Sequence, residues 1–174
     1  MEKRVKFDPA QMIIRTLTLT DIGPYQHLMQ QGLREHPELF RISPDDPGEP
    51  RVPFSQNRPD AFTLGAFSET GRLVGVVSFD RETRTKLKHK GLIHRMYVPS
   101  EESGRGIGRG LLQEAVQRAK EMDGLEQINL TVVATNTRAK QLYSSEGFEP
   151  FAVEKRGLKH GERYFDEEQM ALRF

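Results

Sequence analysis

The apolar positions change period along the chain, and each change marks an element. Ile13, Arg15 and Leu17 alternate in polarity and predict a strand over 13–19. Thr20 and Asp21 then offer an N-cap for a helix running to about Leu33. Six prolines and a Pro-Asp-Asp-Pro-Gly turn follow between Pro37 and Pro59, so this stretch reads as loop with room for one short helix. Residues 61–68 and 73–79 are strand-like and are joined by Glu69-Thr70-Gly71-Arg72, a hairpin signal. A further strand spans 87–98 and stops at Pro99. Leu111, Leu112, Ala115, Val116, Ala119 and Met122 recur at helical spacing and define an amphipathic helix over 111–122. Ile128, Leu130 and Val132 alternate as a strand, and 136–146 forms a short helix. Gly147 is placed to cap that helix in the left-handed conformation, with Phe148 packing back on it. Residues 151–153 and 164–172 look like closing strands.

This order predicts an α/β (α+β) layer fold with a largely antiparallel sheet. The strand–helix–strand unit over 92–133 should cross over right-handed and make its two strands parallel neighbours. A length of 174 residues suits one domain, 1–174, with 1–11 as a loose N-terminal arm. That arm lacks the apolar core of a secretory signal, and no apolar run approaches the ~20 residues of a membrane span. Neither a membrane nor a nucleic-acid partner is expected, because the net charge of +1 sets up no basic field. The absence of cysteine removes thiolate metal sites and a Cys nucleophile, and it fits a cytoplasmic location. No metal is expected, since His89 and His94 lack a carboxylate cluster at ligand spacing. Oligomeric state, monomer or homodimer, is left open.

The chemistry concentrates between the 87–98 strand and the following helix, where Gly104, Arg105, Gly106, Ile107, Gly108, Arg109 and Gly110 form a glycine-rich turn. Glycines bring bare amides close to a ligand, and the helix start adds unpaired N–H groups and a positive dipole end. Together these suit a pyrophosphate. A dinucleotide G-x-G-x-x-G is excluded, because Arg109 and Leu111 occupy its third-glycine positions, and a Walker loop lacks Gly-Lys-Ser/Thr.

What fits is R-x-x-G-x-G, carried by Arg105, Gly108 and Gly110. Met96-Tyr97-Val98-Pro99 precedes it, and Asn136-Thr137-Arg138-Ala139, Leu142-Tyr143 and Gly147-Phe148 follow it. In these motifs the chain resembles the GNAT superfamily of N-acetyltransferases. The resemblance is specific over 92–148 and only topological elsewhere. It implies a single mixed, mostly antiparallel twisted sheet of about seven strands, with splayed fourth and fifth strands and helices on both faces. It also implies acetyl-CoA as cosubstrate, with the pyrophosphate on the amides of the 105–110 turn and the pantetheine arm beside Met96, Tyr97 and Val98. Asn136 and Ala139 would contact the cofactor too, although Asn136 is equally a plain N-cap.

On this resemblance Tyr143 is the candidate general acid for the departing thiolate, because Asn136, Ala139 and Tyr143 share one helical face. The family's frequent strand glutamate falls at Leu92, so the general base is missing from its usual place. His94, on the same strand face, is the replacement candidate, since histidine as a residue type titrates near neutrality. A primary amine is the expected acceptor, an α-amine more readily than a lysine. It is expected between the acidic 35–49 segment and Met96. The alternative is a non-catalytic acyl-CoA-binding regulatory domain of the same fold.

Overall fold

The computed structural model describes residues 12–55 and 58–174. The expected loose arm at 1–11 lies outside the described residues. Among the described residues seven strands form one sheet in the order β1-β2-β3-β4-β5-β7-β6. They are β1 (Ile13–Thr16), β2 (Ala61–Phe67), β3 (Leu73–Arg81), β4 (Lys90–Tyr97), β5 (Gln127–Val133), β6 (Glu149–His160) and β7 (Arg163–Arg173). All pairs are antiparallel except β4–β5. The crossover between that parallel pair is α2 (Ile107–Lys120), as the strand–helix–strand pattern predicted.

Among the described residues three α-helices cover the two faces. α1 (Ile22–Glu35) buries Tyr25, Leu28, Met29 and Leu33 on one side, where Leu17, Phe67, Val76 and Tyr97 meet it. On the other side α2 contributes Ile107, Leu111, Leu112, Ala115 and Ala119 to a core with Phe79, Ile93, Ile128 and Leu130. The short α3 (Thr137–Ser145) joins that second core through Ala139, Leu142 and Tyr143.

Several boundaries differ from the periodicity. β1 ends at Thr16 because Leu17 turns into the α1 core and Thr18 opens a tight turn. That turn is closed by Asp21, whose carboxylate accepts from the Thr18 amide at 2.8 Å and from the Arg15 guanidinium at 2.8 and 2.9 Å. The proline-rich 37–59 stretch holds two short 3-10 turns, Pro37–Leu39 and Pro53–Ser55. α2 begins four residues before the first apolar repeat position, inside the glycine-rich segment. β6 extends far beyond 151–153 because it is an exposed edge strand, and an edge strand carries no buried stripe to betray its length.

Candidate active site

The two strands of the parallel pair stay together only briefly. Lys90, Gly91 and Leu92 pair with Gln127, Ile128 and Asn129, and there the ladder ends. β5 continues paired with β7 as far as Val133, while β4 continues with β3 as far as Tyr97. Each strand follows its antiparallel partner, so the sheet parts between them. A cleft of about 750 Å³ occupies the gap.

A bulge in β4 determines which side chains reach this cleft. Val76 pairs with Tyr97 and Ser78 with His94, so Arg95 and Met96 together oppose Val77. Arg95 takes up the irregularity with φ of 51°, a left-handed value that is uncommon outside glycine and marks a site for functional scrutiny. The outcome is a division of neighbours. His94 contacts Asp80 of β3, and Arg95 contacts Glu49 of the proline-rich segment. Met96 and Val98 instead join the α2–α3 core beside Gly108 and Leu142.

One end of the cleft is built from the start of α2. Gly106 is the N-cap and adopts φ of 79°, which glycine reaches without the steric penalty of a Cβ. The first helical bond runs from the Gly110 amide to the Gly106 carbonyl at 2.9 Å. The amides of Ile107, Gly108 and Arg109 therefore precede the helical ladder and carry the partial positive charge of a helix start. A Cβ on Gly108 would sit 3.4 Å from Met96 Cε and 3.5 Å from Leu142 Cδ2, so the missing side chain keeps this wall open. Asn136 caps α3 by accepting the Ala139 amide at 3.3 Å, and both residues line the cleft, so capping and ligand contact are compatible there. Arg138, which sequence reasoning used only as part of a motif, also lines it and donates to Ser103 Oγ at 2.7 Å. These features match the needs of a pyrophosphate.

Two residues of the glycine-rich segment sit differently from expectation. Gly110 lies off the cleft: its amide is used inside the helix, and a Cβ there would meet Met12 and Ile14. Its small size serves the approach of α2 to β1. The Arg105 guanidinium is held by Glu102, a buried carboxylate that also takes Arg72. Arg109 lines the cleft and pairs with Glu146.

Tyr143 of α3 lines the cleft beside Met96 of β4. It is 9% exposed and its hydroxyl donates to the sulfur of Met96 at 3.7 Å. Burial pushes the phenol up to about 12, so it stays protonated at any working pH. Tyr97, by contrast, commits its ring to α1. It packs on Gly32 and edge-on to Phe40, and its hydroxyl donates to Glu35 at 3.1 Å.

The far end gathers groups from four elements. Leu92 is 41% exposed at the point where the strands part. His94 Nε2 lies 3.0 Å from Asp80 Oδ2. The bond from His94 holds Asp80 below the usual carboxylate range against the opposing effect of burial, and Arg58 and Arg51 add to it. An ionised carboxylate only accepts, so Nε2 carries the hydrogen of this bond, which leaves Nδ1 as the acceptor position of the Nε2–H tautomer. No hydrogen bond engages Nδ1 among the described residues. Sequence reading named His94 and missed Asp80, a partner fourteen residues away that only the β3–β4 register brings alongside. Arg41 closes this end from above, crossing to β7 with a bidentate pair to buried Glu167 at 2.8 Å on both oxygens.

The acidic 35–49 segment does not present its charge to the cleft. Glu35 accepts from Tyr97 and Gln31, Asp46 accepts the Ser43 amide, and Glu49 is taken by Arg95. The segment offers His36, Leu39, Phe40, Arg41 and Ile42 to the cleft instead. Glu35, Asp46 and Glu49 are thus engaged by neighbouring residues, which the charge pattern alone does not reveal.

An open sheet parted at its parallel pair, with a helix start at one lip and a buried tyrosine at the junction, is the architecture of the Acetyltransferase (GNAT) family, and the chain belongs to it: residues 26–148 match that family's model. Among individual proteins, the chain is 27% identical to mycothiol acetyltransferase of Rothia mucilaginosa over 156 residues, which are 84% of this chain and 44% of that protein. The chain thus spans less than half the length of the curated relatives it matches. It is similar to a probable acetyltransferase from Staphylococcus epidermidis at 27% identity and a TM-score of 0.75, covering 93% of this chain and 98% of that one. A GCN5-related N-acetyltransferase from Kribbella flavida superposes with a TM-score of 0.84 at 22% identity, over 96% and 100% of the two chains. The yncA protein of Salmonella typhimurium, solved with acetyl-CoA, gives 0.81 at 20% identity and 93% coverage of both. No helix among the described residues is long and apolar enough to cross a membrane, and no group of metal-ligating residues occurs among them.

Proposed function

We propose that the chain is a single-domain N-acetyltransferase that passes the acetyl group of acetyl-CoA directly to a primary amine. The observation that carries this is the buried Tyr143 hydroxyl beside Met96, at the place where an unpaired strand edge meets three free amides. Acetyl-CoA supplies the activated thioester. The amides of Ile107, Gly108 and Arg109 and the guanidinium of Arg138 hold its diphosphate, and the unpaired edge of β4 at Met96–Val98 binds the arm. A β4 amide in this stretch polarises the carbonyl that becomes an oxyanion. His94, fixed by Asp80 in the Nε2–H tautomer, takes the proton of the incoming amine through Nδ1. Tyr143 donates to the sulfur as it leaves.

The phenol's elevated pKa bears on that last step. A donor near 12 does not hand its proton downhill to an ordinary thiolate at ~8.5, but the burial that raises the phenol raises a neighbouring thiol as well. A strong hydrogen bond to the developing thiolate is the main contribution.

Calorimetry with acetyl-CoA, followed by thiol release across a panel of amines, tests the whole reading. Micromolar binding and turnover with at least one amine is the expected result. Binding without turnover on any amine assigns the chain to the non-catalytic acyl-CoA-binding class, and no binding at all removes the assignment.

A further inference from the structure

Carboxylates are scarce where an amine acceptor would enter, and those present are occupied. Among the described residues that line the cleft only Glu102 and Glu167 are acidic. Glu102 is held by Arg72 and Arg105, and Glu167 by Nε and Nη2 of Arg41. Behind the wall Glu49 already accepts from Arg95 Nη2 on both oxygens at 3.0 Å and from the Arg51 amide at 2.6 Å. Asp80 is shared between His94 at 3.0 Å and Arg58 at 3.8 Å.

One cation, by contrast, is left over, and it is not Arg95, whose guanidinium has Glu49 and the buried Tyr25 hydroxyl as neighbours. Of the four arginines at this end, Arg41, Arg58 and Arg95 are paired, and Arg51 is not: the residue lines the cleft, and its side chain makes no hydrogen bond or ion pair among the described residues. Its charge still reaches Glu49 and Asp80. The lining of the same cleft includes the apolar side chains of Leu39, Phe40, Ile42 and Leu92.

From this arrangement we infer that the acceptor carries an acidic group next to its amine, in the simplest case the carboxylate of an α-amino acid with an apolar side chain, and that Arg51 binds that group. The inference rests on the acetyltransferase reading above and narrows it. A guanidinium suits a carboxylate because its donors form a planar fork that matches the two oxygens. A dication such as a polyamine would meet Arg51 and Arg41 with no free carboxylate in return. A peptide N-terminus has an α-amine but no adjacent charge for Arg51. An α-amine also needs less help from a base than a lysine-like amine, its reference pKa being ~8 against ~10.4.

The test uses two readouts on wild type, Arg51→Gln and Arg51→Lys. Thiol release is measured with matched acceptors: glycine, methionine and phenylalanine, their amides, and phenethylamine. Product binding is measured by calorimetry in the presence of CoA, with the N-acetyl amino acids against their amides. We expect kcat/KM and product affinity to favour the free carboxylate by about ten-fold or more, the scale of one charge-assisted contact. Arg51→Gln should abolish that preference and Arg51→Lys should restore part of it, with acetyl-CoA affinity constant throughout. Equal handling of acids and amides, a preference for the amides, an Arg51→Gln loss common to both, or no product binding in any pair overturns the inference. Turnover with none of the acceptors counts against the enzyme itself, and the product-binding comparison then decides the Arg51 site on its own.

Discussion

Replacing Tyr143 by phenylalanine should separate catalysis from packing more cleanly than any other single change. The ring contributes to the core beside Phe148, at 6.0 Å between centroids, and phenylalanine keeps that contact. Only the hydroxyl is lost, and its one partner is a thioether at 3.7 Å, a weak acceptor. An ordinary intramolecular hydrogen bond contributes about 1 kcal/mol, and this one should contribute less, because a buried hydroxyl with a poor partner carries a desolvation cost that the substitution removes. Stability should therefore change by under about 1 kcal/mol, a Tm shift of a few degrees at most for a chain this size. Affinity for acetyl-CoA should hold, because the ground-state thioether-like sulfur of the thioester asks little of a donor. The leaving thiolate asks much more, so kcat should fall about 10²-fold. The assay is continuous thiol release at saturating acetyl-CoA with the best available amine, alongside calorimetry and thermal unfolding of the same preparations. Wild-type kcat would reduce Tyr143 to a packing residue. A loss of kcat that arrives with a large drop in Tm would show that the hydroxyl supports the core rather than the reaction.

Other substitutions probe the remaining parts. Gly108→Ala should weaken acetyl-CoA binding by about ten-fold or more through crowding of the amide cradle, while Tm is held or slightly raised, since alanine suits a helix better than glycine; unchanged affinity in calorimetry would move the diphosphate elsewhere. His94→Gln should lower kcat by about 10²-fold, and Asp80→Asn should lower kcat by less, with the KM for acetyl-CoA unchanged in both; wild-type turnover in the first would remove the base, and a parallel loss of Tm in the second would make Asp80 a structural contact. Asp21 has its pKa lowered to about 2, first by the hydrogen bond from Arg15 and then, against burial, by the Thr18 amide. A depressed folded pKa means its stabilisation is present above the unfolded value of ~3.9 and is lost as pH falls through about 2. Asp21→Asn should therefore cost about 1–2 kcal/mol at neutral pH, and the mutant's urea midpoint should change less between pH 4 and pH 2 than that of wild type; parallel acid limbs would refute the assignment.

What could be read from the residues alone follows from how local each signal is. The strand-to-helix turn, the α3 cap at Asn136 and the Gly147 stop are local patterns. Gly147 indeed takes φ of 93°, and the Phe148 amide returns to the Tyr143 carbonyl at 3.0 Å. The extent of the glycine-rich turn was overstated, because residue spacing does not say where helical bonding begins; the Gly110 amide is already inside it. The Asp80–His94, Arg41–Glu167 and Arg95–Glu49 pairs were invisible. Each joins residues 14 to 126 positions apart, and one-dimensional charge patterns do not encode which side chains a register places together. For the same reason the acidic 35–49 segment suggests a cation trap, whereas none of its carboxylates lines the cleft and Glu35, Asp46 and Glu49 are engaged elsewhere.

The bulge in β4 ties these observations together. In a regular strand Arg95 would point to the opposite face from His94, into the core shared by α2 and α3. That core is a cluster of apolar side chains, and a guanidinium left unpaired among them would cost several kcal/mol. The left-handed φ at Arg95 costs about 1–2 kcal/mol and avoids that penalty, because the guanidinium reaches Glu49 instead. It also advances the next residue by one position, so that Met96 comes to the α3 side under the Tyr143 hydroxyl. Base candidate, buried cation and the contact of the acid candidate thus occupy three consecutive positions, with the first on one side of the parted sheet and the last on the other. The base candidate and the contact of the acid candidate therefore lie on opposite faces of one strand at the edge of the parting, and a single inserted residue in that strand produces this arrangement.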